Sequence, residues 1–281
     1  MCVGEEVVNV ACVPKRSPFR YPGGKTWLVP EIRAWLRSLG YKPETFVEPF
    51  AGGAIASLTA VFEDLAARVV MCEIDPYVAA VWRVILEDAG WLVDRILSFR
   101  MEAQAVRELL KANPVDLREK AFQTIVRNRV QRGGIMAPGA SLMKWGENGR
   151  GLASRWYPQT LAKRIMDIYE KRDRITFVEG DGFELIHRFM RDNQAVFFVD
   201  PPYTAGGKRA GRRLYTYNDI DHPALFELMV QVAGPFLMTY EDTTEVVDLA
   251  YAHGFSVRRV AMKNTHHNKL YELLITPRPW P

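Results

Sequence analysis

The sequence has few of the residues that build disulfide frameworks and metal clusters. Among its 281 residues there are three cysteines, Cys2, Cys12 and Cys72, which are too scattered for either purpose. No apolar run is long enough to span a bilayer, and the first residues lack the basic-then-apolar pattern of a signal peptide. These absences predict no metal site and no membrane span, and they favour a reducing cytoplasm.

Two phosphate-binding motifs are also missing. The dinucleotide pattern Gly-x-Gly-x-x-Gly does not occur, which disfavours a nicotinamide-dependent oxidoreductase. Gly23-Gly24-Lys25 lacks the preceding strand and the longer glycine spacing of a P-loop. The remaining composition, 48% hydrophobic and 25% charged, suits one large α/β domain or a core domain with a smaller insertion. A net charge of +4 is a mild sign of a polyanionic partner.

The central feature of the chain is an apolar strand that ends in a carboxylate. Val196-Phe197-Phe198-Val199 reads as a strand buried on both faces, and Asp200-Pro201-Pro202-Tyr203 follows it directly. Open α/β sheets build their ligand crevices at such carboxyl ends of strands. Taken alone, the stretch is also compatible with an ordinary strand followed by a proline turn.

These residue types suit chemistry on an aromatic exocyclic amine. Such an amine is a poor nucleophile, because its lone pair is delocalised into the ring. Asp200 can accept one N–H and stabilise the developing positive charge, and the Pro201 carbonyl can accept the other. Pro201 and Pro202 fix the direction of the chain and supply no competing donor. Tyr203 can stack on the flat face of the base.

Three other predicted strands end in acids. The stretch 45–50, which contains Glu48 and Phe50, reads as a strand end and is followed by the turn Ala51-Gly52-Gly53-Ala54 and a helix that ends near residue 63. The strand at 68–74 ends in Glu73 and Asp75, where a ribose-binding acid is expected. The strand at 176–179 leads to Asp181, which is placed to meet an adenine amino group.

Cationic residues concentrate in two irregular regions, where they predict contacts with nucleic-acid phosphates, although solvated loops remain the alternative. The first set is Arg127, Arg129, Arg132, Lys144 and Arg155, and the second is Lys208, Arg209, Arg212 and Arg213. Residues 77–129 read as helical, and the chain closes with a predicted strand pair at 256–262 and 270–276.

Taken together, the motifs resemble those of the Dam-like DNA adenine amino-methyltransferases, which use S-adenosylmethionine. The residues that carry the resemblance are, in order, Phe19-x-Tyr21-x-Gly23-Gly24-Lys25, Glu48-Pro49-Phe50-Ala51-Gly52-Gly53, Glu73-x-Asp75, Gly180-Asp181 and Asp200-Pro201-Pro202-Tyr203. The resemblance implies an α/β fold: a Rossmann-like class I methyltransferase sheet with a C-terminal antiparallel hairpin and a helical DNA-recognition insertion. One departure is Ile55, where many members of the family have another glycine.

The resemblance also implies where the functional residues lie. Around the cofactor it places Tyr21, Lys25, Phe50, Gly52, Glu73, Asp181 and Asp200, with Glu73 favoured over Asp75 for the ribose. The catalytic residues would be Asp200, Pro201, Pro202 and Tyr203. Residues 1–15 would form a flexible arm, 16–87 and 157–281 the catalytic domain, and 88–156 the DNA-recognition insertion.

The implied function is methylation of the N-6 amino group of adenine in duplex DNA by base flipping and direct displacement. The protein would be a monomer that acts on the nucleoid in the cytoplasm, either alone or as the modification part of a restriction–modification system. A cytosine amino-methyltransferase remains an alternative, although its motif usually begins with Ser in place of Asp200. A catalytically silent DNA-binding module is a second alternative. Methylation of a cytosine ring carbon is disfavoured, since no cysteine follows a proline.

Overall fold

The computed structural model describes residues 13–20, 24–136, 140–144, 146, 149–202, 220–263 and 269–280. Several expected site residues lie outside these ranges: Tyr21, Tyr203, Lys208, Arg209, Arg212 and Arg213. The expected roles of these residues therefore stay predictions.

The described part of the chain is built on one seven-stranded sheet. Its strands are β1 (Thr45–Glu48), β2 (Arg68–Glu73), β3 (Ile175–Glu179), β4 (Ala195–Val199), β5 (Phe236–Glu241), β6 (Ser256–Lys263) and β7 (Lys269–Thr276). They lie in the order β3-β2-β1-β4-β5-β7-β6. The first five are parallel, whereas β7 is antiparallel to both β5 and β6. This topology confirms the predicted Rossmann-like methyltransferase sheet with its closing antiparallel hairpin.

The central strands form because they are apolar on both sides. Every residue of β4 is buried, and the side chains of successive residues enter different hydrophobic clusters. Phe46 and Phe198 stack in one cluster with 6.5 Å between ring centroids, whereas Val47 and Phe197 belong to the other. A parallel strand that is covered on both faces needs such a continuous apolar run.

The described helices cover both faces of this sheet. They are α1 (Val29–Ser38), α2 (Ile55–Phe62), α3 (Pro76–Glu87), α4 (Ala89–Ser98), α5 (Ala103–Lys111), α6 (Leu117–Val130), α7 (Pro158–Tyr169), α8 (Gly182–Phe189), α9 (His222–Val230) and α10 (Thr244–Ala252). Side-chain caps explain several of their starts, because Asp75, Asp116, Asp181, Asp221 and Thr243 each accept a backbone N–H of the helix that follows. None of the described helices has the length and apolar character needed to cross a membrane.

The helical segment between β2 and β3 packs onto the core of the sheet. Leu92 and Ile96 of α4 and Phe122 of α6 are fully buried in the same hydrophobic cluster as Phe46 of β1. The predicted recognition insertion therefore shares its core with the sheet, and its boundaries stay a prediction. At the first described residue, Val13 is buried in a small cluster with Val29 of α1 and Ile55 of α2. Part of the expected N-terminal arm is therefore packed against these helices.

The strand order determines where a ligand can bind. Between β1 and β4 the chain order reverses, since β2 and β3 lie on one side and β5 on the other. At such a switch point the loops after the two strands diverge and leave a crevice at their carboxyl ends. The acid-bearing ends of the central strands are therefore gathered at one edge of the sheet.

Candidate functional site

Glu48 closes β1 and lies under the first turn of α2. Its Oε2 accepts the backbone N–H of Ser57 at 2.8 Å, and the residue is only 3% exposed. Burial raises the pKa of Glu48 to about 8, and the nearby charge of Asp200 adds to the rise, while the hydrogen bond from Ser57 opposes it. A carboxylate at the sheet edge is thus held close to its neutral form.

The turn after β1 is glycine-rich and tightly curved. Gly52 has a φ of 46°, a left-handed conformation that costs glycine little. Its backbone N–H donates to Glu73 Oε2 at 3.0 Å, and its carbonyl accepts from Trp82 Nε1 at 2.9 Å. The next left-handed residue is Ala54 with a φ of 51°, whereas Ile55 begins α2. The departure at Ile55 is therefore compatible with the turn, because the helical residue there needs no glycine.

The two acids after β2 have different surroundings. Glu73 accepts backbone N–H groups from Gly52 at 3.0 Å and from Asp75 at 2.9 Å. Burial raises the pKa of Glu73 to about 7, and the charge of Asp75 contributes to the rise. Asp75 instead caps α3 by accepting the N–H of Tyr77 at 2.9 Å. Glu73 is thus the acid that faces the glycine turn.

The turn after β3 contacts the turn after β1. Asp181 caps α8 by accepting the N–H of Phe183 at 2.7 Å, and it is exposed at the sheet edge. Phe50 packs edge-on against Phe183 with 6.4 Å between centroids. A Cβ at Gly182 would lie 2.6 Å from the Pro49 carbonyl oxygen and 2.7 Å from the Phe50 ring. Glycine at this position therefore allows the two turns to meet around Phe50.

Asp200, the first residue after β4, is held by two donors. Lys25 Nζ lies 2.9 Å from Asp200 Oδ1, and Thr239 Oγ1 of β5 donates to the same oxygen at 2.7 Å. Two contacts on one oxygen prevent the carboxylate from turning freely. Pro201 is buried and Pro202 half-buried, so the chain leaves the sheet edge in a constrained direction.

Lys25 lies between two carboxylates of the protein. It is 2% exposed, and its Nζ is 3.6 Å from Oε2 of Glu272 on β7. Burial alone would lower the pKa of Lys25, but Asp200 and Glu272 together raise it above its usual value. The ammonium form of Lys25 is therefore stabilised. Lys25 was expected to lie beside the cofactor. In the described residues, its Nζ contacts two carboxylates of the protein itself, those of Asp200 and Glu272.

One of the expected DNA contacts lies in the interior. Arg129 is 6% exposed, and its Nη2 donates to the backbone carbonyl of Pro18. Arg129 is therefore buried within the protein, and its expected contact with DNA stays a prediction. Arg127 is half-buried and lies over the Tyr77 ring, with its Cζ 5.3 Å from the centroid. Arg155 is half-buried, and the two remaining described cations of this set, Arg132 and Lys144, are exposed.

Several residues of the site were not predicted from the sequence as site residues. Glu48 had a usable signal, since it closes a buried strand in the same way as Asp200. Thr239 and Glu272 had no such signal in the sequence. They reach the Lys25–Asp200 pair only because β5 pairs with β4 on one side and with β7 on the other. Among the described residues, no group of three or more His, Cys, Asp or Glu side chains could hold a metal ion.

Comparisons with known proteins identify the type of reaction. Residues 21–132 match the family model of the D12 class N6 adenine-specific DNA methyltransferases. This match confirms the predicted resemblance over that part of the chain. It identifies the reaction as methyl transfer and indicates S-adenosylmethionine as the methyl donor. No curated protein matches the chain.

Solved structures that resemble the chain are distant. A putative RNA methyltransferase from Pyrococcus horikoshii is 11% identical, with a TM-score of 0.42 and coverage of 95% of this chain and 92% of the other. The rRNA methyltransferase aviRa from Streptomyces viridochromogenes is 15% identical, with a TM-score of 0.40 and coverage of 92% and 86%. Likenesses this weak carry no argument about the substrate.

Proposed function

We propose that this protein transfers the methyl group of S-adenosylmethionine to the N-6 amino group of adenine in duplex DNA. The observation that carries the proposal is the arrangement at Asp200: a carboxylate at the switch point of the sheet, oriented by Lys25 and Thr239 and followed by two prolines. The family match over residues 21–132 supports the choice of adenine.

The residues around the glycine turn fit the cofactor. Glu73 faces the turn with a buried carboxylate, and carboxylate oxygens accept hydrogen bonds from ribose hydroxyls. Phe50 lies where the turns after β1 and β3 meet, and Asp181 is exposed beside it, so this pair suits an adenine ring and its amino group. The cofactor supplies an electrophilic methyl group on a sulfonium. Tyr21 is proposed as a further contact.

Asp200 would act on the amino group of the target base. Attack requires the nitrogen to become pyramidal and to gain positive charge, and an oriented carboxylate stabilises that charge. Because Thr239 and Lys25 both contact Oδ1, the orientation of the carboxyl group is set before the base arrives. The Pro201 carbonyl is proposed to accept the second N–H. Such positioning can contribute up to about 7–11 kcal/mol to a bimolecular step.

The proposal includes extrusion of the adenine from the duplex. Flipping costs a few kcal/mol, and stacking on an aromatic side chain such as Tyr203 returns about 1–3 kcal/mol. The proposed phosphate contacts are the exposed or half-buried cations Arg127, Arg132, Lys144 and Arg155, together with Lys208, Arg209, Arg212 and Arg213. A monomer that acts on cytoplasmic DNA, with or without a cognate restriction enzyme, completes the proposal.

Identification of the methylated nucleoside tests this function. The protein is incubated with S-adenosylmethionine and unmethylated duplex DNA of mixed sequence, and the DNA is digested to nucleosides and analysed by mass. We expect amino-methylated deoxyadenosine. Amino-methylated deoxycytidine would contradict the choice of base, and absence of product with bound cofactor would contradict the enzymatic role.

Replacement of the central carboxylate is the matched control for that assay. Asp200→Ala removes the group that accepts the amino N–H, so turnover should fall by ~10³-fold or more. Cofactor binding, measured by calorimetry, should change only a few-fold, since Glu73 and the glycine turn are intact. Full turnover by this variant would disprove the mechanism.

A further inference from the structure

Two arginines from different helices reach the same short segment of the chain, residues 17–20. Arg129 of α6 donates through Nη2 to the carbonyl oxygen of Pro18. Arg164 of α7 donates through Nη1 to the carbonyl oxygen of Ser17 at 3.4 Å. Because these carbonyls belong to adjacent residues, the two guanidinium groups lie along one stretch of backbone.

Arg20 brings a third cation to this segment. It is half-buried, and its Nη1 is enclosed in the protein without a hydrogen-bond partner. Burial and the charge of Arg155 lower the pKa of Arg20. Burial and the charges of Arg164 and Arg20 lower the pKa of Arg129 to about 9, so it still carries its charge at neutral pH. The cations are therefore close enough to repel one another.

Within the described ranges, no carboxylate forms an ion pair with Arg20, Arg129 or Arg164. Other arginines of the protein do have acidic partners, such as Arg33 with Glu63 and Arg174 with Asp64. Uncompensated charges in a desolvated position are unfavourable, and an anion that binds there removes much of that cost.

The backbone of this segment is fixed by a buried asparagine. Asn128 of α6 is fully buried; its Oδ1 accepts the Arg20 N–H at 2.9 Å, and its Nδ2 donates to the Arg20 carbonyl at 2.9 Å. The same Nδ2 donates to the Gly134 carbonyl at 3.0 Å. A Cβ at Gly134 would lie 2.2 Å from the Arg20 carbonyl oxygen, so the contact requires glycine. The segment thus cannot move away from the arginines without breaking several hydrogen bonds.

We propose that Arg20, Arg129 and Arg164 form a phosphate-binding site, and that it holds a phosphodiester group of the DNA backbone close to the flipped base. This proposal rests on the proposed function for the identity of its ligand. Guanidinium groups match the geometry of phosphate oxygens and bind them with charge-assisted hydrogen bonds. Arg20 and Arg164 are half-buried, whereas Arg129 is only 6% exposed, lies deeper and adds charge.

The position of residues 17–20 in the sequence indicates how the site would fix the register of the duplex relative to Asp200. In the sequence, residues 17–20 shortly precede Lys25, which contacts the proposed catalytic carboxylate of Asp200. A phosphate held at Arg20 would therefore set the position of the duplex relative to Asp200. Phosphate contacts fix orientation and register and carry no base sequence by themselves.

The salt dependence of DNA binding tests this site in the full-length protein. Each phosphate contact that is lost lowers the slope of log K against log salt by about 0.9. We expect that decrease, together with weaker binding at low salt, in Arg20→Gln and in Arg164→Gln. Arg37→Gln is the matched control, because Arg37 is exposed near the end of α1, shortly before the amino end of β1, and its slope should stay that of the wild type. Cofactor affinity should be unchanged in all three variants.

A second measurement uses inorganic phosphate and does not depend on DNA. At constant ionic strength, replacing chloride by phosphate should raise the Tm of the wild-type protein and of Arg37→Gln. The double variant Arg20→Gln with Arg164→Gln should lose this increase. Arg20→Lys keeps the charge and should retain most of it, which separates charge from folding effects.

Together, the two measurements distinguish a wrong ligand from a wrong site and from a wrong function. Unchanged salt slopes together with a phosphate-dependent Tm would overturn DNA as the occupant and leave a free phosphate as its ligand. Absence of any phosphate effect on the wild-type Tm, with unchanged slopes, would overturn the site. If the wild type does not bind DNA, the proposed function fails, and the inorganic phosphate measurement still decides whether the anion site exists.

Discussion

Two regions of the described chain bury positive charge, and they differ in whether acidic side chains compensate it. Beside the sheet edge, Lys25 lies between the carboxylates of Asp200 and Glu272. At residues 17–20, Arg129 donates to a backbone carbonyl, and no described carboxylate pairs with it. In the first region the positive charge has acidic partners within the protein, whereas in the second the described cations have none.

The difference indicates different tasks. A compensated cation orients the group that it contacts, so Lys25 prepares Asp200 for a substrate that arrives later. An uncompensated set of cations is less stable by itself and gains more when an anion binds. The comparison therefore separates the region that is proposed to perform chemistry from the one that is proposed to hold a ligand phosphate.

Matched substitutions of the two buried cations should produce the largest contrast. Lys25→Met leaves two partly buried carboxylates without their partner and should lower the free energy of unfolding by about 3–5 kcal/mol. Arg129→Met removes a buried charge that has no described ionic partner but leaves the buried Pro18 carbonyl without its donor, so the loss should be smaller, about 1–3 kcal/mol. Urea unfolding at neutral pH measures both, because the contribution of Lys25 is fully present below its unfolded-state pKa of 10.5 and is lost as the pH rises from there through the raised folded-state pKa.

The same two variants should also differ in their effects on activity and on DNA binding. Lys25→Met should also reduce methyl transfer, since Asp200 loses a contact that orients it, whereas Arg129→Met should weaken DNA binding and leave cofactor binding intact. Equal losses of stability in the two variants would break the comparison.

An intermediate effect is expected from the acid that faces the glycine turn. Glu73 has a pKa raised to about 7, so its carboxylate form, which accepts ribose hydroxyls, increases as the pH rises from 6 to 8. Affinity for 5′-methylthioadenosine, which has the ribose but no amino-acid group, should rise by up to about tenfold over this interval. Titration calorimetry at several pH values measures it, and Glu73→Gln should give a flat profile.

The same shift predicts the opposite trend for stability. A carboxyl group with a raised folded-state pKa favours the folded protein in its protonated form. Stability of the ligand-free protein should therefore decline as the pH rises from the unfolded value near 4.5 to about 7. A pH-independent affinity in the wild type would contradict the role assigned to Glu73.

The smallest effect is expected at Thr239. Thr239→Val keeps the shape of the side chain and removes one of two contacts to Asp200 Oδ1, so turnover should fall several-fold, corresponding to about 1 kcal/mol. Thr239→Ser retains the hydroxyl and serves as the control. Steady-state kinetics should show the change in kcat with little change in the KM for the cofactor. A loss as large as that in Asp200→Ala would show that Lys25 alone does not orient the carboxylate.

Most of the fold was predictable from local patterns. Apolar runs such as Phe197-Phe198 can be buried only in a central strand, and Asp75 and Asp181 mark helix starts because their side chains cap backbone N–H groups. Predicted strands and helices accordingly agree with the observed bounds to within a few residues. The burial of Arg129 was not predictable, since a basic side chain on a helix can point outward or inward, and tertiary packing determines which.

The sequence by itself determined the order of the strands along the chain, the acids at their carboxyl ends and the glycine turn after β1. These features depend on residues that are close in sequence, where backbone geometry and burial pattern decide the outcome. Only the tertiary structure decided that Thr239 and Glu272 meet the Lys25–Asp200 pair, and that Arg20, Arg129 and Arg164 meet at one segment. Those meetings depend on strand register and helix packing, which join residues that are far apart in the chain.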